Sequence, residues 1–368
     1  MKRKIALIVV LILVVGSIWY LESIKPETAD VEADIEVVSE EDKAEMYEVA
    51  KEISTPDGFI NVDDINITDL IGEQVILVDF WTYSCINCQR TFPYLNAWQE
   101  RYADKGLTMI GIHTPEFEFE KKFENVAEAV ERYGIEFPVV LDNDYSTWRS
   151  YKNRFWPRKY IIDIDGYIVY DHIGEGAYEE TEDVIKELLQ ERADKLGIEV
   201  DLPEGYASVE ASEEVASDLK KTPEIYFGAN RNEYLANGKK DKVGSQSFEL
   251  KAEAELNELN LTGDWNIDEE FAASESEGAQ VVLNYNAQDL FMVASSENSV
   301  KVKVMLDGKT LPEEIAGTDV IYENGEAYLY VKEDRLYKIV EGEEGIQNHT
   351  ITLESEGVGL KAFTFTFG

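Results

Sequence analysis

The sequence predicts an α/β domain followed by an all-β domain of the jelly-roll or sandwich type, with one membrane-spanning segment ahead of both. Three patterns predict this order. An uninterrupted apolar run opens the chain, strand-like and helical stretches alternate over residues 55–197, and short strands with a period of two fill residues 222–368. The length of 368 residues is typical of two folded domains.

The composition excludes several classes of protein. With 75 Asp and Glu against 34 Lys and Arg, the net charge at pH 7 is −41, so a nucleic-acid partner is not expected. The 44% of hydrophobic residues and 11% of aromatic residues are enough for folded cores despite this charge. Two cysteines are too few for the multi-bridge scaffold of a small secreted domain.

The N-terminus predicts export and anchoring. Lys2, Arg3 and Lys4 precede an apolar run from Ile5 to about Leu21, and about 17 residues at 1.5 Å each reach roughly 25 Å, near the lower limit for crossing a bilayer. Basic residues before the run and acidic residues after it orient residues 1–21 as a single-pass signal anchor in the cell membrane, with the remainder extracytoplasmic. A cleaved signal peptide is the alternative.

Residues 22–54 are rich in Glu, Asp, Val and Ala and predict a solvated acidic stalk, with a short helix near residues 41–52. The α/β domain, residues 55–197, is expected to have mostly parallel strands. Its strands are predicted at Ile76–Trp81, Leu107–Ile112, Tyr160–Ile164 and Tyr167–His172, the last two joined by a turn at Asp165-Gly166. Its helices are predicted at Phe92–Tyr102, Val126–Tyr133 and Glu180–Leu196.

Residues 198–221 are acidic and contain Ser, as expected of a linker, and the all-β domain follows over residues 222–368. Apolar residues alternate with polar ones in six runs, which predict strands at Phe248–Leu256, Val300–Leu306, Tyr328–Val331, Leu336–Val340, Thr350–Leu353 and Phe363–Phe367.

The two cysteines form a C-x-x-C pair, Cys85 and Cys88, between a predicted buried strand and a helix. Free N–H groups and the dipole at a helix N-terminus stabilise a thiolate, which makes Cys85 the expected nucleophile. Cys88 faces the same site and can resolve a mixed disulfide, so no cofactor is expected beyond a redox-active Cys85–Cys88 disulfide. Zinc would need four ligands, and a purely structural bridge would close a very small loop. Both stay weaker alternatives.

With these motifs the sequence resembles the thioredoxin superfamily. The run Val78-Asp79-Phe80-Trp81 is similar to the strand that leads into the thioredoxin active site, and this likeness implies that Asp79 shuttles a proton to and from Cys88. An aspartate in an apolar strand would suit that role, although a hydrogen-bonded core residue is the alternative. Phe155-Trp156-Pro157 resembles the cis-proline loop of the superfamily, in which Pro157 and Trp156 would align the substrate backbone.

A narrower resemblance is to the TlpA- and DipZ-like branch, from about Phe59 to Gly368. It rests on the octet from Trp81 to Cys88, on the loop His113-Thr114-Pro115-Glu116-Phe117, and on the segments at residues 222–228 and 363–368. Trp81, Trp156, His113 and Glu116 are accordingly predicted to bind substrate. For His113 and Glu116, an ordinary turn is an equal alternative. A metal site formed by His113, Glu116 and Glu120 is a weak one.

The resemblance implies a membrane-anchored extracytoplasmic thiol:disulfide oxidoreductase acting on exported disulfide-containing proteins. Its client proteins stay open, and apocytochrome c is one candidate. DipZ-like proteins usually carry a CcdA-type electron-transfer module ahead of this region. Here a single anchor stands in that place, so a separate CcdA-like membrane donor is expected, unless the protein works as an oxidant.

Two other functions stay open. Thr82, three residues before Cys85, fits a thiol peroxidase of the redoxin type. The β domain resembles carbohydrate-binding modules, and Tyr226, Trp265 and Tyr285 are candidates for stacking on cell-wall glycan. For each of these rings, a place in the core of the sandwich is the favoured alternative.

Overall fold

The computed structural model describes residues 40–209, 222–250, 254–342 and 347–368. The predicted anchor and most of the predicted stalk lie outside these residues. No helix within the described ranges is both long and apolar enough to cross a membrane. The chain divides into two compact units at Met46 and Tyr47. The described part of the first unit is helix α1, Glu40–Met46.

The second unit begins with a seven-stranded sheet in the order β1-β7-β6-β3-β4-β5-β2. Its strands are β1 Glu48–Val49, β2 Gly58–Ile60, β3 Val75–Trp81, β4 Leu107–His113, β5 Val139–Leu141, β6 Arg158–Ile162 and β7 Tyr167–Ile173. Only the pairings β3–β4 and β4–β5 are parallel. The expectation of mostly parallel strands is therefore wrong. The hairpin at Asp165-Gly166 reverses the chain and adds two antiparallel strands beside β3.

Four helices belong to this sheet: α2 Ile86–Tyr102, α3 Phe123–Arg132, α4 Ser146–Ser150 and α5 Tyr178–Leu196. Helix α2 begins six residues earlier than predicted, because Cys85 caps its N-terminus. All seven residues of β3 are buried. Val75, Leu77 and Trp81 join one core together with α2 and α5, whereas Ile76, Val78 and Phe80 join a second core on the opposite face. The cysteine pair therefore follows a strand that is buried along its whole length.

The seven-stranded sheet and its four helices form the first domain of this unit. The segments that precede and follow this domain make more contacts with it than the sequence suggests. Strand β1 lies in the predicted stalk, yet it pairs with β7. In the predicted linker, the carbonyls of Glu204 and Gly205 accept hydrogen bonds from Arg101, and Glu182 accepts one from the amide of Ala207. Parts of the predicted stalk and linker are therefore bound to the first domain, although their acidic composition predicted that they would be solvated.

The second half of the unit is a β-rich domain. Its strands are β8 Ile225–Tyr226, β9 Gly244–Phe248, β10 Leu259–Ile267, β11 Ala272–Ser274, β12 Gln280–Ala287, β13 Asp289–Ser295, β14 Val300–Leu306, β15 Lys309–Thr310, β16 Ile321–Glu323, β17 Glu326–Val331, β18 Arg335–Glu341, β19 Gln347–Ser355 and β20 Lys361–Phe367. Strand β10 pairs with β9 and β11 at one end and with β12 at the other. It thereby connects two groups of strands whose buried residues share one core.

One predicted strand of this domain is wrong. The period of two at Phe248–Leu256 predicts a strand there, but β9 ends at Phe248. Leu250 is 48% exposed and Leu256 is 51% exposed, so neither side chain faces a core. The register that buries Phe248 comes from pairing with β10, a long-range contact that local alternation does not encode.

An apolar interface joins the two domains of this unit. Phe363 of β20 lies 5.1 Å from Phe117 and 4.8 Å from Phe119, measured between ring centroids. Phe291 and Val293 of β13 are buried in the same core as Val75 and Trp81 of β3. The β-rich domain therefore packs directly against the loop that follows β4.

We expect Phe363→Ala to lower the free energy of unfolding by about 3–5 kcal/mol, because it removes a buried ring from this interface. Denaturant unfolding measures the change. Val358→Ala is the matched control, since Val358 is 59% exposed in the same domain and its truncation should cost less than about 0.5 kcal/mol. Equal costs for the two variants would contradict the packing described here.

Candidate active site

Cys85 occupies the N-cap of α2. Its backbone is extended, with φ −82° and ψ 117°, and its Sγ accepts a hydrogen bond from the amide of Cys88 at 3.3 Å. The first turn of α2 contains no acidic residue that would oppose a thiolate. Cys85 is partly exposed, and both cysteines are free thiols in the structure. The sulfur can therefore meet a substrate while a helix N-terminus stabilises its negative charge.

Cys88 is buried one turn into the helix. Burial raises the pKa of the Cys88 thiol well above its usual value, and Cys85 and Asp79 raise it further. Cys88 therefore stays protonated until a base accepts its proton, as a resolving cysteine requires.

Asp79 lies on the face of β3 that packs against α2. It is 1% exposed, and neither of its carboxylate oxygens has a hydrogen-bond partner among the described residues. Burial raises the pKa of Asp79 to about 7, and the charge of Lys159 opposes this rise. An aspartate that titrates near neutrality can both accept and return a proton.

Lys159 is the cross-strand neighbour of Asp79. The two residues are paired in the register of β3 and β6, so their side chains lie on the same face of the sheet. Lys159 is fully buried, and its Nζ donates a hydrogen bond to the carbonyl of Gly174 at 3.3 Å. Burial lowers the pKa of Lys159, whereas Asp79 and Cys88 act in the opposite direction. Asp79, Lys159 and Cys88 thus form one electrostatically coupled group.

Trp156 and Pro157 precede β6, and the peptide bond between them is cis. Trp156 is held in place, because its Nε1 donates to the carbonyl of Thr114 at 3.0 Å and its ring lies 4.4 Å from that of Trp148. The half-buried Trp156 lines a pocket of about 450 Å³ together with Cys85.

This pocket lies between the two domains. Residues of the first domain line one side, and Glu224, Tyr226 and Arg231 of the β-rich domain line the other. Glu116 crosses the gap: its Oε1 accepts hydrogen bonds from Tyr226 at 2.9 Å and from Arg231 at 2.7 Å. Burial and the nearby Glu116 raise the pKa of Glu224. The lining of the pocket therefore combines the carboxylates of Glu116 and Glu224 with two guanidinium groups, those of Arg231 and Arg154.

Two residues predicted to bind substrate lie elsewhere. Trp81 and His113 are fully buried. Their rings pack against each other at 4.8 Å, and Trp81 also packs against Phe92 at 5.1 Å. Burial lowers the pKa of His113 to about 3, so the ring is neutral at ordinary pH. The prediction of direct substrate contact needs correction for both, because neighbouring side chains cover them.

Two of the candidate glycan-binding rings are likewise buried. Trp265 and Tyr285 are both fully buried in the core of the β-rich domain. Tyr226 is partly buried and lies at the pocket, where its hydroxyl oxygen is also 2.7 Å from Oε2 of Glu224. Only Tyr226 among the three can reach a ligand.

Sequence reasoning missed Lys159 and weighed Glu120 only as a metal ligand. Lys159 is two residues beyond Pro157, and only the register of β3 with β6 places it opposite Asp79. Glu120 is fully buried and accepts a hydrogen bond from the hydroxyl of Ser84 at 2.6 Å. The acidic run at residues 116–120 gives no sign that one of its members faces inward.

Comparison with known proteins agrees with this geometry. The Redoxin family model matches residues 50–189, and a model described as a thioredoxin-like C-terminal domain matches residues 222–368. Protein DipZ of Mycobacterium bovis is 34% identical over 304 residues, which cover 83% of this chain and 40% of DipZ. The chain therefore spans less than half the length of DipZ.

A second relative is similar to this chain over most of its own length. Thiol-disulfide oxidoreductase ResA of Bacillus anthracis is 32% identical over 124 residues, 34% of this chain and 68% of ResA. Among solved structures, a thiol-disulfide isomerase from Corynebacterium glutamicum is 20% identical, with 39% of this chain and 97% of that chain covered at a TM-score of 0.35. The sequence relatives and the arrangement of Cys85 and Cys88 lead to one assignment. The chain belongs to the thioredoxin-like thiol-disulfide oxidoreductases, the family that includes DipZ and ResA.

Proposed function

We propose that this protein is a membrane-anchored, extracytoplasmic thiol:disulfide oxidoreductase that exchanges disulfides with exported proteins through Cys85 and Cys88. One observation carries the proposal. The sulfur of Cys85 lines an open pocket at the start of a helix, and Cys88 is buried one turn behind it. Disulfide exchange requires an accessible nucleophilic thiol next to a resolving thiol that is shielded from solvent.

The reaction proceeds in two exchanges. The Cys85 thiolate attacks a substrate disulfide, a mixed disulfide forms, and the first substrate sulfur leaves as a thiolate. Cys88 then loses its proton and attacks the sulfur of Cys85, which releases the second substrate sulfur. The substrate gains two electrons, and the protein is left with a Cys85–Cys88 disulfide.

Asp79 accepts the proton of Cys88 in the second exchange. Its free carboxylate oxygens and its pKa near neutrality support this role. Lys159 acts through Asp79 as a positioning residue. Its positive charge on the same face of the sheet stabilises the ionised carboxylate before the proton arrives.

The β-rich domain, which we interpret as a sandwich, limits what can reach Cys85. A substrate must place its disulfide between Trp156 on one side and Tyr226 and Arg231 on the other. Trp156, Pro157 and Glu116 are the proposed substrate contacts. Glycan binding through Tyr226 would be a separate activity, which Cys85→Ser would leave intact.

Residues 1–21 provide the proposed anchor, residues 22–54 the stalk, and residues 198–221 the link between the domains at 55–197 and 222–368. A separate CcdA-like membrane protein returns electrons to the Cys85–Cys88 disulfide, and the clients are exported proteins such as apocytochrome c. A peroxidase of the redoxin type would instead consume hydrogen peroxide, which a peroxide-consumption assay distinguishes from protein-disulfide reduction.

We predict that Cys88→Ser accumulates mixed disulfides with exported proteins in membranes, because Cys85 can attack but nothing resolves the intermediate. Cys85→Ser is the matched control and should trap none. Non-reducing electrophoresis followed by mass spectrometry reads out both variants. Equal trapping by the two variants would overturn the assignment of Cys85 as the nucleophile.

We predict that Asp79→Asn stabilises the fold at high pH and slows exchange. A carboxyl whose pKa rises from 3.8 to about 7 on folding binds a proton that the unfolded chain releases. Its favourable contribution to stability is therefore present below pH 4 and is lost as the pH rises through 7. The gain should be roughly 2–4 kcal/mol at pH 8, limited by the loss of a partner for Lys159, and near zero at pH 4.

Urea unfolding at both pH values measures this change, with the exposed Asp63→Asn as control. Reduction of an insulin disulfide should slow by roughly 10²-fold in Asp79→Asn, because Cys88 loses its base. The same pH slope in wild type, Asp63→Asn and Asp79→Asn would refute the raised pKa.

We predict that Arg231 at the rim of the pocket favours anionic over cationic disulfide substrates. Arg231→Met removes the guanidinium beside Glu116 and leaves the rim more negative. The ratio of exchange rates with an anionic aromatic disulfide and with cystamine, a cationic one, should fall about fivefold or more at low salt. Arg149→Met is the control, because Arg149 donates to the carbonyl of Asp144 and lies outside the pocket lining. An unchanged ratio would show that substrates do not pass Arg231.

A further inference from the structure

Glu120 is a buried carboxylate that the exchange reaction does not itself use. It lies in the 3₁₀ turn Glu118–Lys121 after β4 and is fully buried. Its neighbour Glu118, two residues earlier, has a side chain that is 73% exposed and pairs with Lys121. Of these two carboxylates, only Glu120 points into the protein.

The two oxygens of Glu120 bind two different loops. Oε1 accepts hydrogen bonds from the hydroxyl of Ser84 at 2.6 Å and from its amide at 3.3 Å. Oε2 accepts hydrogen bonds from the amides of Glu116 at 2.5 Å and Phe117 at 3.0 Å. Four donors thus converge on one side chain, and only an ionised carboxylate offers acceptors alone to all of them.

Each of the two loops carries part of the active site. Ser84 directly precedes Cys85, so its two hydrogen bonds fix the point at which α2 begins. Glu116 forms the rim of the pocket through Tyr226 and Arg231. A shift of Glu120 would therefore move the nucleophile and the rim relative to each other.

The surroundings of Glu120 make its charge sensitive to pH. Burial raises the pKa of Glu120 to about 7, and the hydrogen bond from Ser84 and the nearby hydroxyl of Thr82 oppose the rise. The ionisable groups that face Glu120 are Glu116 of its own loop, Tyr83 beside Ser84 and Tyr145 ahead of α4. The charge of Glu116 raises the pKa of Glu120, and the charge of Glu120 in turn raises the pKa of both tyrosines. His113 contacts Thr82, with its Nε2 3.5 Å from the threonine hydroxyl. Protonation of Glu120 turns one of its acceptor oxygens into a hydroxyl group, while all four hydrogen-bond donors from the two loops still need an acceptor.

We propose that Glu120 is a positioning residue for the Cys85 nucleophile: its buried carboxylate ties the Ser84-Cys85 turn to the Glu116-Phe117 loop and so sets the geometry of the pocket. The proposal deepens the proposed function, since it assumes that Cys85 is the reacting thiol. It assigns Glu120 no contact with substrate.

The test compares Glu120→Gln with Glu118→Gln in the full chain. The glutamine at 120 keeps the size of the side chain but turns an NH₂ group towards one pair of donors. Alkylation of Cys85 by iodoacetamide, followed from pH 5 to 9 by mass spectrometry, reports the reactivity of the thiol. We expect the Glu120→Gln rate at pH 7.5 to fall about tenfold, because the Ser84-Cys85 turn loses the carboxylate that holds Cys85 at the helix N-cap. The pH profile should lose the contribution of Glu120 near pH 7, while the contribution of Asp79 remains. Glu118→Gln should superimpose on wild type.

Ser84→Ala keeps the proposal testable if Glu120→Gln does not fold, which far-ultraviolet circular dichroism reveals. It removes the shortest hydrogen bond to Oε1 and should shift the alkylation profile in the same direction. If both single variants fold, the double variant Ser84→Ala/Glu120→Gln should change the alkylation rate by less than the sum of the two single changes. Both substitutions break the same hydrogen bond between Ser84 and Glu120, so their effects cannot add. Superimposable profiles for wild type and Ser84→Ala, or additive effects in the double variant, would overturn the proposal.

Alkylation separates this proposal from the proposed function. If the wild type reduces no protein disulfide and yet Glu120→Gln changes the alkylation profile, the positioning role stands and the exchange function fails. If the wild type is active and Glu120→Gln leaves both the profile and the exchange rate unchanged, the function stands and the role of Glu120 fails.

Discussion

The burial of β3 is the constraint on which the rest of the site depends. All seven of its residues are covered, and its end leads through a short turn into α2. Because the strand is fixed on both faces, Cys85 can occupy only one place, the N-cap of the helix. The same burial places Asp79 beneath α2 without hydrogen-bond partners among the described residues, and this raises its pKa. The position of the nucleophile and the basicity of its partner thus share one cause.

Three buried charged side chains, Asp79, Lys159 and Glu120, surround the cysteine pair. Asp79 and Lys159 lie on one side of Cys88, and Glu120 lies behind Ser84. Burying such groups costs free energy that a purely structural core would avoid. Their raised or lowered pKa values bring proton transfer close to neutral pH, which the resolving step needs.

The β-rich domain takes part in the site through packing and through charge. Phe363 packs against Phe117 and Phe119, and this contact holds the loop that carries Glu116. Glu116 in turn binds Arg231 and Tyr226 across the pocket. The loop after β4 is therefore fixed from two sides, by Glu120 from within and by the β-rich domain from outside.

The sequence was informative where the chemistry is local. The strand, the C-x-x-C pair and the start of a helix are adjacent in the chain, so the places of Cys85, Cys88 and Asp79 could be predicted. Lys159 could not, because it faces Asp79 only through the register of two strands about 80 residues apart. Trp81 and His113 were misplaced because nearness to the cysteines in the chain does not reveal which face of a strand is covered. The strand predicted at Phe248–Leu256 was wrong for a related reason, because an alternating pattern does not show which strand, if any, would pair with it.

Cys85 and Cys88 are proposed to act together as one two-electron couple. Equilibrating the full chain in dithiothreitol buffers of graded ratio, then quenching with acid and alkylating, counts the free thiols by mass. We expect a single reversible transition between a form with two free thiols and a form with none, without a species that carries one. A chain that keeps both thiols at every ratio, or that accumulates a one-thiol form, would contradict it.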